Sequence, residues 1–290
     1  MRYSSLHIHS NFCDGSDSIE VICGSAYEKG LESLGFSSHA PLPKDSGLES
    51  SWHMRCGRLD EYIDAVLEAR ERWQGKMRIY LGLEVDYIRD IIGPSDSLYR
   101  RKEFDYIIGA VHYIIPPDGS SPFTVDGPPE ELYRDRDLHF NGNGEALAEA
   151  YWDAVEEMLG AGGFDILAHF DLIKKNNSRD ILFQSRGTRY LNRSAAAADK
   201  AARHKGFVLE VNTGGLNRGK TSDPYPSSLL LKRFSEQGIP VSISADAHHA
   251  SHILGHYEDA RELLLQSGYT SQLIFGGRKD GVPVWEPDPL

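Results

Sequence analysis

Residues 59–86 read LDEYIDAVLEARERWQGKMRIYLGLEVD, and two periodicities meet inside them. Over 59–73, Leu59, Ile63, Val66, Leu67 and Arg70 follow three-and-four spacing, while Asp60, Glu61, Asp64, Glu68 and Glu71 take the other face. That is a helix with one side against a core. Over 78–84 a short apolar run follows, the pattern of a buried strand. The same unit recurs outward in both directions. Further strands are expected at 6–9, 33–37, 106–111, 165–168, 207–211, 241–244 and 272–275, and further helices at 18–29, 144–159, 187–204, 227–236 and 257–267. Alternation of this kind means an α/β protein with a largely parallel sheet. Seven or eight strands suit closure into a barrel, but periodicity does not report closure, and a doubly wound open sheet fits the same pattern.

One stretch departs from the alternation. Residues 116–143, PPDGSSPFTVDGPPEELYRDRDLHFNGN, are rich in Pro, Gly and Asp and predict a long loop inserted into the domain. Loops of that length often cover a site.

The chain has 290 residues, with 31 Lys and Arg against 43 Asp and Glu, a net charge of −12. This acidic balance works against a nucleic-acid or anionic-membrane partner, because phosphate backbones attract basic surfaces. A small phosphorylated substrate remains compatible, since bound cations reverse the local field. No apolar run approaches the roughly 20 residues of a spanning helix, and MRYSSLHIHS lacks the apolar segment of a signal peptide. Cys13, Cys23 and Cys56 form no CxxC and read as reduced thiols, so a cytoplasmic location is expected. The oligomeric state has no signature in the sequence.

In α/β barrels the chemistry sits where strands finish. The expected strands end in His7 and His9, His39, Glu84 and Asp86, His112, His169 and Asp171, Glu210 and Asn212, then Asp246, His248 and His249. One histidine after a strand is an ordinary loop residue. A histidine or glutamate after each of the first six is not, because an unpartnered buried polar group costs about 1–3 kcal/mol and folding alone offers no compensation. Shared metal ions do. His7, His9, Asp14, His39, Glu84, His112, His169, Asp246 and His248 are the candidate ligands. They exceed what one ion takes and suit two or three divalent ions, with Glu84 as the central bridge. Mixed imidazole and carboxylate favours Zn, Mn or Fe over Mg or Ca. His53 and His139 are expected in loops, and His249, His252 and His256 at the surface or behind the ligands. Glu210, Asp86 and Asp171 are expected near the mouth, where they would suit an ammonium group.

The ordered set HIH, SHAPL, GLEVDY, GAVHY, AHFDLIKK, EVNTGGL and SADAH resembles the polymerase and histidinol phosphatase (PHP) superfamily, and within it the histidinol-phosphate phosphatases. The resemblance implies a distorted (β/α)7 TIM-like barrel spanning 1–290, with metals at the C-terminal ends of the strands. It implies one ion among His7, His9, Glu84 and Asp246, a second among Glu84, His112 and His169, and a third among Asp14, His39 and His248. It implies that Lys174 and Arg218 bind the substrate phosphate and that the reaction is hydrolysis of L-histidinol phosphate in histidine biosynthesis. The leaving alkoxide of such a reaction needs a proton, and Asp246, His248 or a bound water are the catalytic candidates to supply it, with no choice among them in the sequence. Two alternatives stay open at this point. One is a phosphoesterase for another small substrate, such as a nucleotide, sugar phosphate or phosphotyrosine. The other is a metal-binding barrel without catalysis.

Overall fold

The computed structural model describes residues 2–101 and 103–290. In chain order its elements begin with β1 (Ser4–Ser5), α1 (Ile19–Glu28), β2 (Ser33–Phe36), α2 (Leu59–Arg72), β3 (Arg78–Asp86) and β4 (Tyr106–Ala110). There follow β5 (Tyr113–Ile114), β6 (Phe123–Thr124), α3 (Pro129–Phe140), α4 (Gly144–Ala161), β7 (Ile166–Leu167) and α5 (Thr188–Arg203). The chain closes with β8 (Val208–Asn212), α6 (Gly214–Asn217), α7 (Ser228–Glu236), β9 (Val241–Ser244), α8 (Tyr257–Gln266), β10 (Ser271–Lys279) and β11 (Val282–Pro289).

Seven strands pair in parallel in the order β1-β2-β3-β4-β7-β8-β9. The ring is nearly closed. Its seam is a parallel bridge between Ile8 and Ala247, with His9 N donating to Ala247 O at 3.0 Å and Ala247 N to His7 O at 3.3 Å. The open-sheet alternative is therefore excluded. The regular ladder of β1 stops at Ser5, earlier than the expected 6–9, because the following backbone groups find other partners. Ile8 N donates to Ser37 Oγ at 3.1 Å, and the Tyr106 hydroxyl donates to Leu6 O.

Alternation along β3 sorts its side chains. Ile79, Leu81, Leu83 and Val85 join the outer core under the helices, while Tyr80, Gly82, Glu84 and Asp86 take the opposite face, toward the interior. The barrel interior is filled by Leu6, Tyr80, Tyr106, Ile108, Ala110, Ile166, Ala168 and Phe275. Tyr106 crosses it so closely that a Cβ on Gly82 would lie 2.5 Å from its ring, and one on Gly35 2.3 Å from its hydroxyl, which is why both positions are glycine. On α2, the buried face is Leu59, Tyr62, Ile63, Val66 and Ala69. Tyr62 also donates from its hydroxyl to Gly82 O at 2.8 Å, fixing the helix to β3 beside Glu84.

Two expectations are corrected. The 116–143 segment is not a loop without regular structure, because it holds β6 and the 12-residue α3. Pro129 opens that helix with Glu130 and Glu131 in its first turn, a favourable start; only Leu132 and Phe140 are buried apolar residues there, so the amphipathic signal is thin. His139 belongs to this helix rather than to a loop. The second correction concerns 272–275, which extends into an antiparallel hairpin of β10 and β11. The hairpin places Phe275 against Tyr80 and Tyr106 in the interior core. Among the described residues, no helix is long and apolar enough to cross a membrane.

Candidate metal centre

Glu84, near the end of β3, is 1% exposed and lies amid five imidazoles. Its Oε2 is 3.0 Å from His39 Nδ1, 3.1 Å from His7 Nε2 and 3.5 Å from His9 Nε2. Its Oε1 is 2.9 Å from His169 Nε2 and 3.6 Å from His112 Nε2. Asp246, after β9, brings Oδ1 to 3.2 Å from His9 Nε2 and 3.7 Å from His7 Nε2. At the outer edge, Asp14 Oδ2 is 3.1 Å from His248 Nε2, and Asp14 Oδ1 is 3.9 Å from His39 Nε2. All nine expected ligands thus converge in one cluster. The compact donor groups are His7, His9 and Asp246; Glu84, His112 and His169; His9, Asp14, His39 and His248; and His39 and His112 with Asp86.

These residues fit metal ions on their own evidence. His7 Nε2, His9 Nε2, His39 Nδ1 and His169 Nδ1 are buried without a hydrogen-bond partner among the described residues. A buried nitrogen without a hydrogen bond is costly, about 1–3 kcal/mol, and a shared cation would give each of these a partner. Asp246 also holds φ at 48°, a left-handed backbone that Asp tolerates better than most residues.

A layer of acids orients the imidazoles from behind. Glu210 takes His7 Nδ1 at 2.6 Å and accepts from His169 N at 2.9 Å. Asp86 takes His112 Nδ1 at 2.8 Å and His53 Nε2 at 2.7 Å. Partners of this kind fix which ring nitrogen faces a metal. Asp171 accepts from Ser227 N at 2.9 Å and pairs with Lys174 at 3.2 Å. None of the three acids lies at the cavity mouth as the sequence reading expected; each is buried and committed. His53 lies in a loop, as expected, and is buried there. His249 turns to solvent, its side chain 56% exposed.

The electrostatics follow from this packing. Burial and the neighbouring His248 and His39 charges drive His9 down to about 3, so it stays neutral as a ligand must. Burial opposes protonation of His112, but Asp86 and Glu84 prevail and raise it to about 9. Burial would raise the Glu84 carboxyl, yet His7, His39 and His112 hold it well below its ordinary range.

The cluster opens on a cavity of about 310 Å³ whose wall includes Trp52, Thr124, Asp126, Leu172, Lys175 and Arg218. Arg218 follows α6 and reaches Asp246 Oδ2 at 3.1 Å and His248 Nδ1 at 3.2 Å, with its Nε buried and unpartnered. Gly214 makes that approach possible, since a Cβ there would meet Asp246 Oδ2 at 2.7 Å. Lys174 does not line the cavity. Its Nζ donates to Pro224 O at 2.7 Å, and the lysine on the cavity wall beside Arg218 is its neighbour Lys175. Residues 172–174 form a 3-10 turn, in which consecutive side chains diverge by about a third of a turn. Lys175, Asp126, Trp52, Thr124, Gly127 and Leu172 are the cavity residues the sequence reading missed; the second Lys of AHFDLIKK was the available signal for the first.

Comparisons with known proteins agree with this geometry. The PHP domain family model matches residues 5–214. A Deinococcus radiodurans protein named "Probable histidinol-phosphatase" is 28% identical over 258 residues, covering 88% of this chain and 89% of that one. The histidinol-phosphatase of Bacillus subtilis is 26% identical, covering 89% and 98% respectively. The histidinol phosphate phosphatase of Lactococcus lactis, solved with zinc, L-histidinol and phosphate, superposes with a TM-score of 0.66 at 21% identity, over 96% of this chain and 99% of that one. With the family model covering most of the chain and the barrel and its histidine cluster in place, the chain belongs to the PHP domain family.

Proposed function

We propose that this protein is a metal-dependent phosphomonoesterase that hydrolyses L-histidinol phosphate to L-histidinol and phosphate, with the whole chain acting as one catalytic unit. The observation that carries this reading is a buried cluster of imidazoles around Glu84, four of them with one ring nitrogen lacking a hydrogen bond among the described residues, that opens on a cavity bearing Arg218 and Lys175. Named histidinol-phosphatases that align over most of the chain support the substrate.

His7, His9, Glu84 and Asp246 would hold one ion; Glu84, His112 and His169 a second; Asp14, His39 and His248 a third. Zinc, manganese or iron suits these donors. Bound there, such ions make water a nucleophile near neutral pH and offset charge on phosphoryl oxygens. The chain's own groups do the rest. Arg218 and Lys175 bring positive charge to the cavity, where a phosphate would draw them into charge-assisted hydrogen bonds. The Arg218 guanidinium beside Asp246 outweighs burial and holds that carboxyl well below its usual range. Asp246 therefore stays ionised and has no proton to supply to the leaving alkoxide, and a carboxylate held that low is a weak base, so its charge suits a metal ion better than general acid–base work. Trp52 and Leu172 give the cavity an apolar wall for an imidazole ring.

The test is steady-state phosphate release from L-histidinol phosphate beside a nucleotide, a sugar phosphate, phosphotyrosine and p-nitrophenyl phosphate. The reading expects the highest kcat/KM on L-histidinol phosphate. A nucleotide or sugar phosphate far ahead of it overturns the substrate.

A further inference from the structure

The metal-facing and orienting acids of this site are engaged with imidazoles, Arg218 or Lys174, whereas one carboxylate on the cavity wall, paired with Lys175, keeps its second oxygen without a hydrogen bond among the described residues. Asp126 follows β6 and shares the wall with Trp52, Lys175 and Arg218. Lys175 Nζ donates to its Oδ1 at 2.5 Å and to its backbone oxygen at 3.0 Å, while Oδ2 makes no hydrogen bond among the described residues. Its mounting is rigid. Val125 N donates to His112 O at 2.8 Å, and the Asn176 side-chain amide donates to Val125 O at 3.2 Å and Gly127 O at 3.0 Å, gripping the backbone on both sides of Asp126. The carboxylate is thereby held in register with His112 and the metal centre.

A fixed negative charge in a phosphate-binding cavity has a selective consequence. It repels a plain phosphomonoester, and it attracts one that carries its own cation near the phosphate. Burial would raise the Asp126 carboxyl, but Lys175 and His112 keep it below its ordinary range, so the charge is present at neutral pH.

We propose that Asp126 recognises a cationic amine on the substrate and so selects aminoalkyl phosphates over phosphomonoesters without a positive charge. This rests on the histidinol-phosphate reading above and adds the residue that enforces it. In the complex, the substrate ammonium takes the free Oδ2, and the phosphate takes Lys175 and Arg218.

The experiment compares L-histidinol phosphate with its counterpart lacking the amine, 3-(imidazol-4-yl)propyl phosphate, in the wild-type enzyme and in Asp126→Asn. The wild type is expected to prefer the amine. The variant is expected to lose about 10- to 100-fold in kcat/KM on L-histidinol phosphate, the loss typical of one charge-assisted hydrogen bond. On the amine-free substrate it is expected to be unchanged or faster, with metal content and thermal midpoint preserved. Calorimetry should show weakened binding of L-histidinol but not of the amine-free alcohol. Lys175→Met should lower both substrates alike, which separates loss of Asp126 from release of its lysine. Equal losses on both substrates in Asp126→Asn, or no loss, overturn the proposal. So does a wild-type enzyme without preference, a result that needs no variant to fold. If the wild type hydrolyses neither imidazole compound but does hydrolyse other phosphomonoesters, the histidinol reading fails by itself. Phosphoethanolamine against ethyl phosphate then decides Asp126 by the same ratio, and loss of the amine preference on substitution upholds it.

Discussion

Replacing Glu84 by Gln exchanges one carboxylate oxygen for an amide and leaves the volume almost unchanged. What it removes is charge. Glu84 is 1% exposed, and both of its oxygens face imidazoles, with Oε2 within 3.5 Å of three of them and Oε1 within 3.6 Å of two. An amide NH2 would have to point into one of those two groups, where its hydrogens compete with a metal for the same nitrogens. Loss of a group that merely orients a ligand costs roughly 10- to 100-fold in metal affinity, so loss of a carboxylate that, as proposed, serves two ions should exceed that. We expect Glu84→Gln to purify with at least one ion fewer per chain and to fall more than about 100-fold in kcat/KM, in line with removal of a key electrostatic group from an active site. In the metal-free state the same substitution leaves His7, His39 and His112 without their shared counter-charge, a loss of about 3–5 kcal/mol for a broken buried pair. Elemental analysis, steady-state kinetics and thermal melts with and without chelator give the three readouts. Full metal content with near-normal turnover would refute the bridging assignment.

Three further outcomes follow from the same geometry. Lys175→Ala should lose about 10- to 100-fold in kcat/KM with metals retained, while Lys174→Ala should have little effect on catalysis; a larger loss from Lys174→Ala would return the phosphate contact to that residue. His248→Ala should be severe and His249→Ala mild, because His248 lies against Asp14 and Arg218 whereas His249 faces solvent; comparable activity losses would contradict this. In chelator-treated protein, His112, raised from 6.5 to about 9, contributes stability that is complete below pH 6.5 and disappears as pH rises through about 9. The thermal midpoint of the metal-free form should therefore fall over that window relative to the metal-loaded form, and parallel profiles would exclude the effect.

The barrel and the histidine cluster were legible for the same reason: apolar strand runs mark where the chain emerges at the metal face, and imidazole there has no packing function. Side-chain direction beyond the strand was less legible. Glu84 and Asp86 share one face of β3, yet one faces five imidazoles and the other stands behind His112 and His53; residue type cannot separate a ligand from the partner of a ligand. Lys174 and Lys175 are identical in chemistry and differ only in their place at the end of the tight turn, Lys174 inside it and Lys175 just after it. Helix α3 was hidden by the Pro and Gly at its start, and β11 by Pro283, Pro287 and Pro289, which argue against a strand inside a sheet but are tolerated in a two-stranded hairpin. Asp126 had no motif at all, since its position depends on the backbone grip of Asn176 across 50 residues of sequence, a contact that only the fold creates.

The most direct test of the metal-centred account is reconstitution. Protein stripped by chelator would be titrated with zinc or manganese while phosphate release from L-histidinol phosphate and bound metal are measured on the same samples. The account predicts no turnover in the stripped protein, and activity that returns with the metal and saturates at two or three ions per chain. Turnover that survives complete metal removal, or a chain that fills these sites and releases no phosphate, would contradict it.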